Sequence, residues 1–200
     1  MKYYLQLNDN FATEEAKQII GDTNLTNIKN YLSNSTFDSQ ESYDKFVTGL
    51  MKLVSQSNIG NSLTKKVFNF ELNQIEKKTP LIEKTPWGLV SIQKVNVPEN
   101  YIEKYLVVKK DGVLGFEFHE RKHEKIDIKE GIAMIIYADR NASGYEEGQL
   151  MAHIGTTGST YAFMPYDDHG MVALTDSVIL ETSTNDLDDL IFIFNTTQII

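Results

Sequence analysis

The chain has 200 residues, no cysteine, and 28 Asp and Glu against 19 Lys and Arg, giving a formal net charge of -9. An acidic balance offers phosphates and anionic headgroups no basic face, which argues against nucleic acid and against a membrane surface as partners. The lack of cysteine excludes a disulfide framework and a zinc–thiolate site, while 41% hydrophobic content is enough for a core. The opening MKYYLQLNDNF holds no apolar run of signal-peptide length. No segment approaches the ~20 apolar residues of a membrane span, so a cytoplasmic location is expected.

Residues 1 to 78 read as a mostly helical extension. Thr13-Glu14-Glu15-Ala16 has the form of a helix start, with Thr13 as cap and acids in the first turn, and Gly21 ends that helix. Leu25, Ile28, Tyr31 and Leu32 have helical spacing. A third helix opens at Ser39-Gln40-Glu41, with Tyr43, Phe46, Val47, Leu50, Leu53 and Val54 along one stripe. Leu63, Val67, Phe70, Leu72 and Ile75 continue as a fourth. No cluster of chemically active residues occurs here, and the apolar stripes need a surface to pack on.

From Thr79 the pattern changes. Three of the four prolines fall between Thr79 and Pro98, and helical spacing stops. Tyr105 to Lys110 alternates as a strand. Ile132 to Tyr137 is a continuous apolar run, fit for a buried strand. Tyr161 to Met164, Val172 to Leu174, Val178 to Glu181 and Leu190 to Phe194 are further short strands between turn residues. Many short strands separated by Gly, Asp and Asn turns predict a sandwich or barrel over residues 79 to 200.

The stretch DGVLGFEFHERKHEKIDIKEG, Asp111 to Gly131, is the most informative. Glu117 and His119 are two apart, so on a strand they face the same way. After the polar turn, Glu124, Ile126 and Ile128 alternate with Lys125, Asp127 and Lys129, which makes a returning strand with Glu124 on the isoleucine face. An apolar inner surface bearing two carboxylates and an imidazole is costly unless a cation neutralises them. A second stretch, Gly158 to Ser183, places His169 after Pro165 and two aspartates, with Met171 and Ala173 on its side of a strand. His169 is the natural fourth ligand. Two imidazoles with one or two carboxylates suit a divalent manganese, iron or zinc ion. Phe116 and Phe118 then face outward and need a cover, which the N-terminal helices or a second subunit would supply.

Together these residues resemble the cupin superfamily. Its first motif runs from a glycine through His-x-His to a glutamate and a second glycine. Gly112, Glu117, His119, Glu124 and Gly131 stand at the corresponding places, with Glu117 where most cupins have histidine. Pro165 to His169 resembles the second motif, one residue tighter and without its glycine. Sugar-isomerase and phosphomannose-isomerase-like cupins are the nearest likeness. Pro86-Trp87-Gly88 resembles their opening, and His119, Lys122 and Glu124 resemble their His-x-x-Arg-x-Glu block. Glu181-Thr182-Ser183-Thr184 with Asp188-Asp189 resembles their closing segment.

The resemblance implies a double-stranded β-helix, the cupin jelly-roll barrel, with an α-helical N-terminal extension. It implies a metal held by Glu117, His119, Glu124 and His169, and a homodimer. It further implies an aldose–ketose isomerase acting through an enediol on a sugar or sugar phosphate of the mannose or lyxose type. Glu181 is then the expected base, Lys122 a second catalytic group, and Lys104 with Lys122 the substrate-holding residues. A non-catalytic sugar-binding cupin and an iron-dependent cupin oxygenase are the alternatives. His123 and His153 have no motif support, and Asp188-Asp189 read equally as a polar turn.

Overall fold

The computed structural model describes residues 1–56 and 81–195. The fourth helix expected over residues 63 to 75 lies outside the described residues. The chain runs β1 (Tyr3–Gln6), α1 (Glu14–Ile20), α2 (Asp22–Ser33), β2 (Thr36–Phe37) and α3 (Gln40–Gln56). From residue 81 come β3 (Leu81–Thr85), β4 (Gly88–Asn96), β5 (Tyr101–Val108), β6 (Val113–Phe118), β7 (Glu124–Glu130) and β8 (Ile132–Tyr137). β9 (Gln149–Thr156), β10 (Thr160–Phe163), β11 (His169–Ala173), β12 (Ser177–Ser183) and β13 (Ile191–Phe194) follow.

The helices form where their ends and stripes say they should. Thr13 Oγ1 accepts the Ala16 N–H at 3.1 Å, and Glu14 and Glu15 sit in the first turn of α1. Gly21, at φ 79°, turns α1 directly into α2 and returns its N–H to Lys17 O at 2.9 Å. α3 buries Tyr43, Phe46, Val47, Leu50 and Val54, the apolar stripe of its sequence. No helix among the described residues is long and apolar enough to cross a membrane.

Strands β5 to β12 pair as a nested set: β5 with β12, β6 with β11, β7 with β10 and β8 with β9, all antiparallel. Successive pairs fall alternately into two sheets, giving β10-β7-β12-β5 in one and β6-β11-β8-β9 in the other. A long hairpin rolled up in this way is a jelly roll. The remaining strands extend its edges: β4 and β3 beyond β5, β13 beyond β6, and β1 then β2 beyond β9. β1 lies parallel to β9, with Leu5 opposite Leu150. Residues 1–56 thus add two strands to the barrel sheet as well as three helices.

Side-chain period two sorts β8 between two cores. Ile132, Met134 and Ile136 point under the helices, while Ala133 and Ile135 point into the barrel. This accounts for the unbroken apolar run in the sequence. The outer core is aromatic. Phe116 is fully buried beneath the N-terminal elements, with ring centroids 5.4 Å from Tyr3, 6.0 Å from Tyr43 and 6.1 Å from Phe37. The N-terminal strands and α3 together therefore cover Phe116. Phe118 is only half-buried and stacks on Tyr166 at 6.2 Å.

One irregularity aims the site. Along β11 and β6, His169 pairs with Glu117 and Met171 with Leu114, so β6 carries one extra residue between these pairs. The bulge puts both Leu114 and Glu117 on the inner face. Gly115 lies within it, and a Cβ there would come 2.3 Å from the Phe192 ring, so the close cover by Phe192 requires glycine.

Candidate metal centre and its surroundings

Both sheets contribute to one polar cluster near an end of the barrel. Glu117 stands on β6 and His119 just past its end, while His169 opens β11 directly opposite Glu117. Glu124 opens β7 in the other sheet. His119, His169 and Glu124 are buried, and Glu117 is half-buried. The two imidazole centroids are 5.4 Å apart.

Hydrogen bonding fixes both rings. His119 Nδ1 meets the backbone carbonyl of Asp189, and His169 Nδ1 meets that of Asp167 at 2.9 Å. A carbonyl oxygen only accepts, so the proton of each neutral ring sits on Nδ1 and the Nε2 lone pair points inward. Phe163 stacks on the His169 ring at 4.3 Å, fixing its plane. Neither Nε2 has a hydrogen-bond partner among the described residues, although both are buried. What they face instead is carboxylate. His119 Nε2 is 3.4 Å from Glu124 Oε2 and 3.9 Å from Glu117 Oε1. His169 Nε2 is 3.7 Å from Glu124 Oε1 and 4.0 Å from Glu117 Oε1.

Lone pairs converging on lone pairs in a buried space cost free energy unless a positive charge lies among them. Glu117, His119 and His169 each offer a ligand atom, all within 4.8 Å of one another, so the three can hold a metal ion. The donor set, imidazole nitrogen with carboxylate oxygen, fits a first-row divalent cation. Glu124 lies close enough to both rings to join them, but its Oε2 also takes the Lys122 ammonium. Of the four expected ligands, the structure brings all four together and gives Glu124 a second partner.

Beside the cluster runs a chain of buried charges. Lys122 Nζ contacts Glu124 and lies 2.7 Å from Glu181 Oε1. Lys104 Nζ reaches the same Oε1 at 2.8 Å, across the β5–β12 pairing that sets Lys104 opposite Glu181. Burial works to lower the Lys122 pKa, but the Glu181 and Glu124 carboxylates outweigh it and hold the ammonium charged. A cavity of about 200 Å³ opens over this row. Glu117, His119, Lys104, Lys122 and Glu181 line it from below, and Trp87, Leu187, Leu190 and Phe192 form an apolar rim. A smaller void of about 30 Å³ lies deeper, against His169 and Glu124, and Glu117 and Glu181 border both spaces. His123 is exposed, and His153 meets the Tyr161 hydroxyl at 2.5 Å, apart from the cluster.

In the sequence Asp189 belongs to the segment that resembles the isomerase-like closing and reads equally as part of a polar turn. Here its carboxylate accepts three consecutive backbone N–H groups, from Glu120 at 3.0 Å, Arg121 at 2.6 Å and Lys122 at 2.8 Å. Those bonds outweigh burial and lower its pKa. Asp188, its neighbour, is exposed and pairs with Arg121 at 2.9 Å.

The carboxylates of the cluster are driven in opposite directions. Burial first, then the charge of Glu124, pushes the Glu117 carboxyl up to about 8. Burial also works against ionised Glu124, but its contact with His119 and the charge of Lys122 hold its pKa well below the usual carboxylate range. Burial lowers the His169 pKa, with Glu124 offsetting part of the effect.

These directions set a pH dependence. A carboxyl with a raised folded pKa costs no stability below its unfolded value of 4.5 and an increasing amount as pH rises toward 8. In metal-free protein this group should therefore cost a few kcal/mol between about pH 5 and about pH 8, offset in part by His169, whose lowered pKa makes stability rise with pH in the same window. Saturating divalent cation should flatten that slope, because the ion stabilises ionised Glu117. Glu117→Gln should flatten it without metal. Denaturant melts of metal-free protein at several pH values measure this, and an equal slope in wild type and Glu117→Gln would assign the dependence elsewhere.

No family model matches the chain, and no curated protein matches it. Solved structures similar to it include CapF, a capsular polysaccharide assembling protein from Staphylococcus aureus, at 16% identity and TM-score 0.48 over 58% of this chain. The match spans only 32% of the CapF chain. An RmlC-like cupin from Shewanella frigidimarina is similar at 17% identity and TM-score 0.45, over 56% of this chain and 88% of its own. KdgF from Halomonas sp. is similar at 14% identity and TM-score 0.43, over 54% and 90% respectively. The nested pairing of β5 to β12 in alternating sheets, closed around an inward polar cluster, gives this chain the jelly-roll fold of the cupins.

Proposed function

We propose that this protein is a metal-dependent cupin isomerase acting on a sugar or sugar phosphate through an enediol. The observation that carries the reading is the pair of buried imidazole nitrogens, unpartnered among the described residues, that face two carboxylates, with His119 lining the larger cavity and His169 the smaller void. Glu117, His119 and His169 would hold the ion, with Glu124 bridging toward Lys122. Once bound, a divalent ion supplies charge stabilisation to a carbonyl oxygen and the enediolate derived from it.

The chain's own groups supply the proton chemistry. Both lysines contact Glu181 through Oε1, and Oε2 is the oxygen assigned to the substrate. Glu181 takes the proton from the carbon next to the carbonyl and returns it to the neighbouring carbon. The Lys122 ammonium donates a proton to the carbonyl oxygen and regains one from the adjacent hydroxyl. No atom is gained or lost in the cycle. Lys104 keeps Glu181 in place and reaches toward substrate oxygens. The apolar rim of Trp87, Leu187, Leu190 and Phe192 excludes water from the intermediate.

The test is interconversion of mannose with fructose and of lyxose with xylulose, and of their phosphates, by chelated and manganese-, iron- or zinc-loaded protein. Turnover that appears only with metal supports the reading. Metal binding without turnover of any of these sugars would replace the isomerase with the binding protein. Oxygen consumption with ferrous iron would replace it with an oxygenase.

A further inference from the structure

Asp189 contacts both halves of the site by different atoms. Its backbone carbonyl receives the Nδ1 proton of His119, and its carboxylate ties down the amides of residues 120 to 122, the turn from which the Lys122 side chain departs. It is buried at 5% exposure, whereas Leu187 and Leu190 on either side are half-exposed at 55% and 46% and line the cavity rim. Its own N–H closes a turn onto Asp186 O at 3.1 Å. The residue therefore pins the rim segment to the end of β6.

We propose that Asp189 is the positioning residue of this site: its carboxylate clamp sets the place of the carbonyl that orients His119 and the start of the Lys122 side chain. The inference rests on the metal-binding reading above. A turn held by three backbone bonds has little freedom. With the carboxylate gone, residues 120 to 122 lose their shared acceptor, and the 186–190 segment can move relative to β6. His119 can then rotate about its side-chain bonds, and the inward Nε2 lone pair loses its aim. The ring still has a carbonyl nearby in every variant, because that group belongs to the backbone. Any effect of a side-chain change on His119 must therefore act through position.

Cobalt(II) is the probe, since its visible spectrum reports coordination geometry and a titration gives its affinity. In Asp189→Ala the affinity should fall by about 10- to 100-fold, the range typical of partners that orient a ligating histidine, and the spectrum should change. Thr184→Val is the control. Thr184 Oγ1 accepts from His123 N at 3.2 Å and donates to Asp186 at 2.7 Å, so its loss loosens the same segment while leaving the clamp. Its melting point should fall while its cobalt affinity and spectrum stay within about twofold of wild type. Affinity in Asp189→Ala within about twofold of wild type, or an equal loss in Thr184→Val, would overturn the proposal. Should Asp189→Ala fail to fold, Asp189→Asn decides by the same comparison. Its amide keeps one acceptor oxygen but turns N–H groups toward N–H groups, and a loss of at least about threefold is expected. Wild type that binds no cobalt would end the metal reading itself, whereas binding that is insensitive to Asp189 ends only this inference.

Discussion

Replacing either His119 or His169 with alanine should weaken divalent-cation binding by more than about 100-fold, since even groups that merely orient a ligating histidine cost that much. Each ring contributes one inward Nε2, and the other donors within reach, Glu117 and Glu124, already face the ion's place, so no further imidazole is available among the described residues. The surrounding inner face is Ile126, Ile135, Phe163 and Met171, which carry no hard donor. Thermal melts give a second measure. Cation at 100 times its dissociation constant should stabilise wild type by about 2.7 kcal/mol, and at the same concentration that increment should fall to about 0.4 kcal/mol or less in either variant. The metal-free variants need not be less stable than metal-free wild type. Removing one imidazole relieves the lone-pair crowding against Glu117 and Glu124, at the expense of a small void beside Phe163 or Asp189. Calorimetric titration with manganese checks the affinity. A variant that binds as tightly as wild type would show that the ring it lacks is a core histidine.

Much of this site was legible because strand periodicity carries information. Glu117 and His119 at a spacing of two, and Glu124 in step with Ile126 and Ile128, forecast their common inner face. His169 was forecast by its turn and by Met171 and Ala173, which do share the barrel core. Contacts made far along the chain were not legible. β1 is only four residues long, and its pairing with β9 depends on chain nearly 150 positions away. β9 itself hides its period, because Leu150, Ala152 and Ile154 face the helices while Met151, His153 and Gly155 on its other side are not uniformly polar. Asp189 looks like any turn aspartate until residues 120 to 122 are brought against it. Lys122 likewise stands in a polar run, HERKH, and nothing local announces that two carboxylates will bury it. The β6 bulge is also a property of pairing, read only from the partner strand.

Glu181→Gln should lower metal-dependent isomerisation by about 10²- to 10⁴-fold, the usual worth of a positioned general base, with little change in cation affinity. Glu181 is separated from the imidazole cluster by Lys122 and Glu124, so the ion's ligands remain in place. The substitution keeps the side-chain shape and removes only the negative charge and the basic oxygen. Two ammonium groups then lose their common counter-ion in a buried setting. Lys122 retains Glu124, whereas the Lys104 ammonium loses the carboxylate set opposite it on β12. Some loss of stability is therefore expected, and a melt must accompany the kinetics. The double variant Lys104→Gln with Glu181→Gln separates the two effects, since it removes a cation along with the anion. If the activity loss comes from missing proton transfer, the double variant should recover stability while remaining as slow as Glu181→Gln. If it comes from misfolding or from an unpaired lysine, kcat at saturating substrate should return with stability, while KM stays raised by the loss of Lys104. Full turnover in a folded Glu181→Gln protein would take the base role from Glu181. Proton transfer would then fall to another group lining the cavity, with Lys122 and Lys104 nearest the place Glu181 holds.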